Sequence, residues 1–328
     1  MAAIVHTSIS VLVVLLLSGH NSAITERVYY EWRYDDKRFH NITRVVDPSS
    51  NWGRDWTLEK EAFKKFHGQV QQDRICLEIF NDKANGFYVD LATHDHKAGS
   101  NTYIMDYYND WSGVCIEPNP IDWDALLSNR HCNLYVNPVG DKTGAEMKFN
   151  FYSDKKMPRA YGGLVSPEFD NKVNEGTDVW TVTLDDILEH AKAPASIEYL
   201  SLDVEGAEFF VLKNFPFGKR KFLMITIERP NAHLHAILVK NMYIFVTELT
   251  GGDFGDCLYI HNSLENLSQK MDRYHKKGST PKWFGKERAY LAYPVWSGSA
   301  AIYHADAQKI THYNHMTPLF ETNNTKIQ

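Results

Sequence analysis

From Gly86 onward the chain alternates short apolar segments with capped helical ones, and that alternation restricts its fold more than any other feature. Phe87-Tyr88-Val89-Asp90-Leu91-Ala92 predicts a strand, and Ser100-Asn101-Thr102 offers caps for a helix over residues 103–108. Gly113-Val114-Cys115-Ile116-Glu117 predicts a second strand, closed by Pro118-Asn119-Pro120. A helix over 122–127 and a third strand over 132–136 follow. Farther on, strands are predicted at 197–203, 222–228, 243–249 and 256–261, with helices at 184–191, 205–213 and 232–239. Strand–helix alternation of this kind builds an open, mostly parallel sheet covered on both faces. Such sheets bind ligands outside the carboxyl ends of their strands, where the strand order reverses.

The flanks differ from this middle. Residues 1–17 hold no charged side chain, and a short apolar block ends near Ser18-Gly19, which predicts a signal peptide over 1–23, or the same block retained as an anchor. Asn41-Ile42-Thr43, Asn266-Leu267-Ser268 and Asn323-Asn324-Thr325 are glycosylation acceptors, in keeping with a lumenal or secreted protein. Residues 24–84 are expected to form a stem or cap, 85–262 the main domain and 263–328 an extension. Residues 147–152 alternate like a strand, and 153–178, rich in Gly and Pro, predict a functional irregular segment of the lid kind. With 43% hydrophobic residues the chain can bury a sizeable core. A net charge of -6 gives no overall field for phosphate backbones, so no nucleic-acid partner is expected.

Acids mark the predicted strand ends. Asp90 precedes a loop whose following helix start offers exposed amides. Glu117 stands where an acid can accept both hydroxyls of a ribose, and Asp203 and Glu205 end the fourth strand. Dinucleotide binding needs Gly-x-Gly-x-x-Gly, and this loop has only Gly99, with His94 and His96 in the way. A nucleoside with an amino-acid tail needs less room and wants acids for its ribose and ammonium, which S-adenosylmethionine satisfies.

Gly86-Phe87-Tyr88-Val89-Asp90-Leu91-Ala92, Ser100-Asn101-Thr102-Tyr103 and Trp111-Ser112-Gly113-Val114-Cys115-Ile116-Glu117-Pro118-Asn119-Pro120 resemble the FkbM family of S-adenosylmethionine-dependent methyltransferases. Leu200-Ser201-Leu202-Asp203-Val204-Glu205-Gly206-Ala207-Glu208 resembles its Asp-Val-Glu-Gly-x-Glu block. The resemblance implies an α/β, Rossmann-like methyltransferase fold with a central, mostly parallel seven-stranded sheet flanked by helices. It implies a cofactor site of Asp90, Ala92, Asn101, Thr102, Glu117 as the ribose acid, and Asp141 near the adenine. Asp203 and Glu205 then lie where methyl donor and acceptor meet, with Glu228 and His233 as further candidate bases. The family's first loop reads Asp-x-Gly-Ala-x-x-Gly, whereas here it is Asp90-Leu91-Ala92-Thr93-His94-Asp95-His96. A left-handed backbone at His96 would be strained.

His94-Asp95-His96 and His233-Leu234-His235 show no tight ligand motif, so no metal is expected. Cys115 and Cys132, on strands that should be neighbours, form either a disulfide or two buried thiols. The expected function is methyl transfer from S-adenosylmethionine to a hydroxyl of a sugar or small metabolite in the secretory pathway. A non-catalytic lumenal binding or trafficking protein on the same fold is the alternative.

Overall fold

The structure is a computed structural model that describes residues 29–31, 44–46, 66–151, 161–171, 176–249, 255–267, 270, 292–295, 299–304 and 309–313. The expected signal peptide and the acceptors at Asn41 and Asn323 lie outside the described residues. The fold is mixed α/β, with a large, mostly parallel central sheet of seven strands flanked by helices, consistent with the Rossmann-like fold that the resemblance implies. Among the described residues no helix is long and apolar enough to cross a membrane. The chain divides into two units, Met1–Glu228 and Arg229–Gln328.

In the first unit β1 (Tyr29–Glu31), β2 (Arg44–Val46) and α1 (Gln72–Ile79) precede the alternating part. There β3 (Phe87–Leu91), α2 (Tyr103–Tyr108), β4 (Ser112–Ile116), α3 (Trp123–Asn129) and β5 (Asn133–Tyr135) follow one another. Short strands come next: β6 (Val139–Gly140), β7 (Glu146–Asn150), β8 (Gly163–Val165), β9 (Thr177–Trp180) and β10 (Val182–Thr183). Then α4 (Leu184–His190), β11 (Ser196–Leu202), α5 (Glu208–Leu212) and β12 (Lys221–Glu228) complete the unit. The main sheet here runs β1-β2-β5-β4-β3-β11-β12. The strands from β5 to β12 are parallel, and β1 and β2 add antiparallel at the edge.

Parallel strands covered on both faces need near-continuous apolar runs. Val89, Val114, Ile116, Leu200 and Ile225 are accordingly fully buried. Successive strands move outward from β3 through β4 to β5, and the chain then returns to place β11 on the other side of β3. The order therefore reverses between β3 and β11. The second unit holds α6 (Ala232–Lys240), the antiparallel pair β13 (Tyr243–Glu248) and β14 (Asp256–His261), and an antiparallel sheet of β15 (Ala292–Val295), β16 (Ser299–His304) and β17 (Lys309–Tyr313).

Several local expectations change for physical reasons. The helix expected from Glu205 starts only at Glu208, because Glu205 at φ 54° and Gly206 at φ 92° make a left-handed turn that no α-helix contains. Ser100 Oγ accepts the Thr102 and Tyr103 amides at the start of α2, which leaves Thr102 Oγ1 for other partners. The segment expected to be irregular contains β8 and the start of β9, which flank β7 in a separate antiparallel sheet. Helix α1 has no counterpart among the expected elements.

Cys115 on β4 and Cys132 just before β5 are joined by a disulfide, and Cys76 and Cys257 are buried free thiols. A cross-link closing a loop of this size contributes on the order of 3 kcal/mol. The Cys115→Ala/Cys132→Ala variant should lose about that much unfolding free energy in urea titrations, and reductant should then shift wild type but not the variant. Equal midpoints for the two proteins under oxidising conditions would contradict the assignment.

Candidate active site

Register puts the strand ends at one level. Leu91 on β3 lies opposite Ile116 on β4 and Leu202 on β11, and Leu202 lies opposite Ile227 on β12. The next residue on each strand is therefore Glu117, Ala92, Asp203 and Glu228, in that spatial order across β4, β3, β11 and β12. Neighbouring strands are ~4.8 Å apart, so this rim spans roughly 14 Å and includes the reversal point between β3 and β11.

Glu117 is buried, and its carboxylate accepts the His94 amide at 2.8 Å and the Asn119 amide at 2.7 Å. Burial pushes its pKa up to about 7, although those two amides pull it down; nearby Asp122 adds to the rise. Each carboxylate oxygen has a second lone pair, so two hydroxyl groups of a ligand can still be accepted. The loop after β3 turns left-handed at Ala92 (φ 65°) and His94 (φ 55°). His96, the residue expected to be strained, is not among the residues with positive φ. Ala92 and Thr93 amides both reach Ile116 O, and Thr93 Oγ1 donates to Asp90 O, so the turn is pinned to both strands.

Asp90 lies beneath this rim. Its carboxylate accepts Thr102 Oγ1, and Arg130 Nη1 is 3.9 Å away. Burial raises its pKa, against the opposing pull of Arg130 and Thr102. Thr102 is fully buried, and Asn101 Nδ2 donates to Ser201 Oγ at 3.0 Å. Asp90, Asn101 and Thr102 are thus brought together under the β3 loop. Asp141 follows β6, which pairs with β10 in a two-stranded sheet, and its carboxylate is 2.7 Å from Lys213 Nζ. Glu205, two residues past Asp203, has left-handed backbone at φ 54°. Its carbonyl accepts the Asp170 amide at 3.1 Å, which ties the 203–208 turn to the segment between β8 and β9. His233 belongs to the second unit, on the exposed side of α6, while its neighbour His235 is buried and bonded to Tyr259 at 2.9 Å.

Glu208 joins Asp203 and Glu228, with one oxygen of each within 4.8 Å of the others. Sequence analysis gives roles to Asp203 and Glu228 but none to Glu208, although Glu208 closes the Asp-Val-Glu-Gly-x-Glu block. Its side chain folds back to accept the Val204 and Gly206 amides, both at 3.1 Å. Burial, with the Glu228 charge beside it, pushes its pKa up to about 8. Oxygen ligands of this kind suit magnesium, calcium or manganese, yet they would have to displace that proton first. As arranged, the trio is a proton-holding acid beside two further carboxylates, suited to exchanging a proton with a bound hydroxyl.

In the unfolded chain Glu208 titrates near its ordinary 4.5, and in the folded chain near 8. Between those values the folded state holds a proton that the unfolded state has lost, so stability falls as pH rises through the window. Glu117 acts with the same sign up to about 7. Glu208→Gln keeps an acceptor for the two amides and removes the titration. Its Tm profile should be flatter than wild type from about pH 5 to 8, with the variant the more stable at the alkaline end. An unchanged slope would show that Glu208 is ionised throughout.

Residues 90–245 match the family model of the methyltransferase FkbM domain, a span that includes every rim residue from Ala92 to Glu228. No curated protein and no solved structure matches the chain. The strand order and the level acids agree with that match: over residues 90–245 the chain is similar to the methyltransferase FkbM domain.

Proposed function

We propose that the chain transfers a methyl group from S-adenosylmethionine to a hydroxyl of a sugar or small metabolite in the secretory pathway. The observation that carries this is the rim of Glu117, Ala92, Asp203 and Glu228 at one level across the reversal point. Its residues fit the cofactor. Glu117 has lone pairs left for ribose hydroxyls, and Ala92 puts only a methyl group beside it on the rim. When bound, the cofactor supplies a methyl group already activated on a sulfonium.

The chain's own residues align and deprotonate the acceptor. Asp203 or Glu228, beside protonated Glu208, accepts the hydroxyl proton as the new oxygen–carbon bond forms and the sulfur–carbon bond breaks. Glu205 contributes through its backbone link to Asp170, which brings the β7–β9 sheet against the turn and gives that sheet a part in acceptor choice. The Cys115–Cys132 disulfide supports an oxidising compartment, as does exposed Asn266 in its acceptor tripeptide.

A non-catalytic lumenal protein on this fold is the second reading, motivated by the missing glycines. Against it, the loop takes its left-handed turns with Ala92 and His94 in place of glycine.

The test is transfer of a labelled methyl group to a panel of glycans and small alcohols. Asp203→Ala should lower turnover by about 10²-fold or more, as expected for loss of a general base. Glu117→Ala should chiefly raise the KM for S-adenosylmethionine. Undiminished transfer at low cofactor in Glu117→Ala would remove it from the cofactor site. No transfer and no cofactor binding by wild type would favour the non-catalytic reading.

A further inference from the structure

Arg130, at the end of α3, has a completely buried side chain, and every direction of its guanidinium is used. Nε donates to Asp106 Oδ2 at 2.7 Å. Nη1 donates to Ser100 Oγ at 3.2 Å and to the His96 carbonyl at 3.4 Å, and Nη2 to Tyr88 OH at 3.0 Å and Thr102 Oγ1 at 2.6 Å. Burial works against the charge, but Tyr88, Asp106 and Asp90 outweigh it. The seat is fixed from behind: the His131 amide bonds to Asp106, and Cys132 is tied to β4 by the disulfide. Gly113 makes room in front, since a Cβ there would come within 2.5 Å of the Tyr88 ring whose hydroxyl meets Arg130.

Stability alone does not call for this group, because well-packed apolar residues often match or exceed a buried ion-pair network. What a guanidinium adds is a rigid fork of directed donors. Three of its acceptors, His96 O, Ser100 and Thr102, belong to the loop that follows β3. That same loop carries left-handed backbone at Ala92 and His94, which glycine would adopt without strain. Such conformations persist only where the surroundings over-determine them.

We propose that Arg130 is a positioning residue for the cofactor, holding residues 96–102 in their binding shape from below by hydrogen bonds. It replaces the backbone freedom of a glycine-rich loop with a side-chain tether. This rests on the S-adenosylmethionine reading above, and the probe that tests both is S-adenosylhomocysteine, titrated calorimetrically into the full chain.

Arg130→Lys should weaken S-adenosylhomocysteine binding tenfold or more with the stoichiometry unchanged. Adding Ala92→Gly to Arg130→Lys should recover at least threefold, since glycine needs no tether to turn left-handed. Where Arg130→Lys fails to fold, Asp106→Asn keeps one acceptor oxygen but removes the charge that seats Nε, and should weaken binding at least threefold. A merely structural arginine would lower the number of binding-competent molecules and leave Kd alone. That result, an unchanged Kd in a folded variant, or no recovery with glycine overturns the proposal by itself. Absence of binding to wild type overturns the cofactor reading and takes this inference with it.

Discussion

The parallel ladder of β4, β3, β11 and β12 is what the rest of the molecule depends on. Hydrogen bonding sets the register, so Ile116, Leu91, Leu202 and Ile227 lie level and the chain leaves all four strands at one height. Side chains that share no neighbourhood in sequence are thereby delivered to one rim. A shift of one residue in any of these strands would take its rim residue out of level and turn every side chain to the opposite face of the sheet. The apolar runs that fix the register against both faces therefore also fix the site.

Charge near this rim is managed by pairing and by protons. Arg130 and Asp106 hold one another ionised where neither would survive alone. Burial raises the Asp106 pKa, but His131 and Arg130 more than reverse it. At the other end, Glu208 keeps a proton near neutrality because burial, with Glu228 beside it, disfavours its charge. Glu117 lies between these limits, poised by burial against two backbone amides. The same few strands thus support a permanently charged network below the cofactor loop and a proton-bearing acid cluster at the acceptor side. Both arrangements follow from how many directed donors each carboxylate meets.

The alternation of strands and helices was legible because parallel strands need apolar runs and helices need caps, and both signals are local. Strand ends at Glu117, Asp203 and Glu228 could be read for the same reason, each acid closing an apolar run. Arg130 carried no such mark: an arginine between a helix and a short strand looks like a solvent-facing residue until Asp106, Tyr88 and Thr102 converge on it. Glu208 was hidden likewise, since the left-handed pair Glu205 and Gly206 delays the helix and turns that acid inward. The loop after β3 posed the converse problem. Its sequence lacks the glycines, and only the tertiary contacts show that Ala92 and His94 take the turn while His96 does not.

The most direct measurement is a crystal structure of the protein with S-adenosylhomocysteine bound. The account predicts both ribose hydroxyls within about 3 Å of the Glu117 carboxylate, ordinary hydrogen-bond reach. It also predicts the sulfur above Ala92, facing Asp203 and Glu228. A nucleoside seated away from the carboxyl ends of β3 and β4, with Glu117 still bonded only to its two backbone amides, would contradict it.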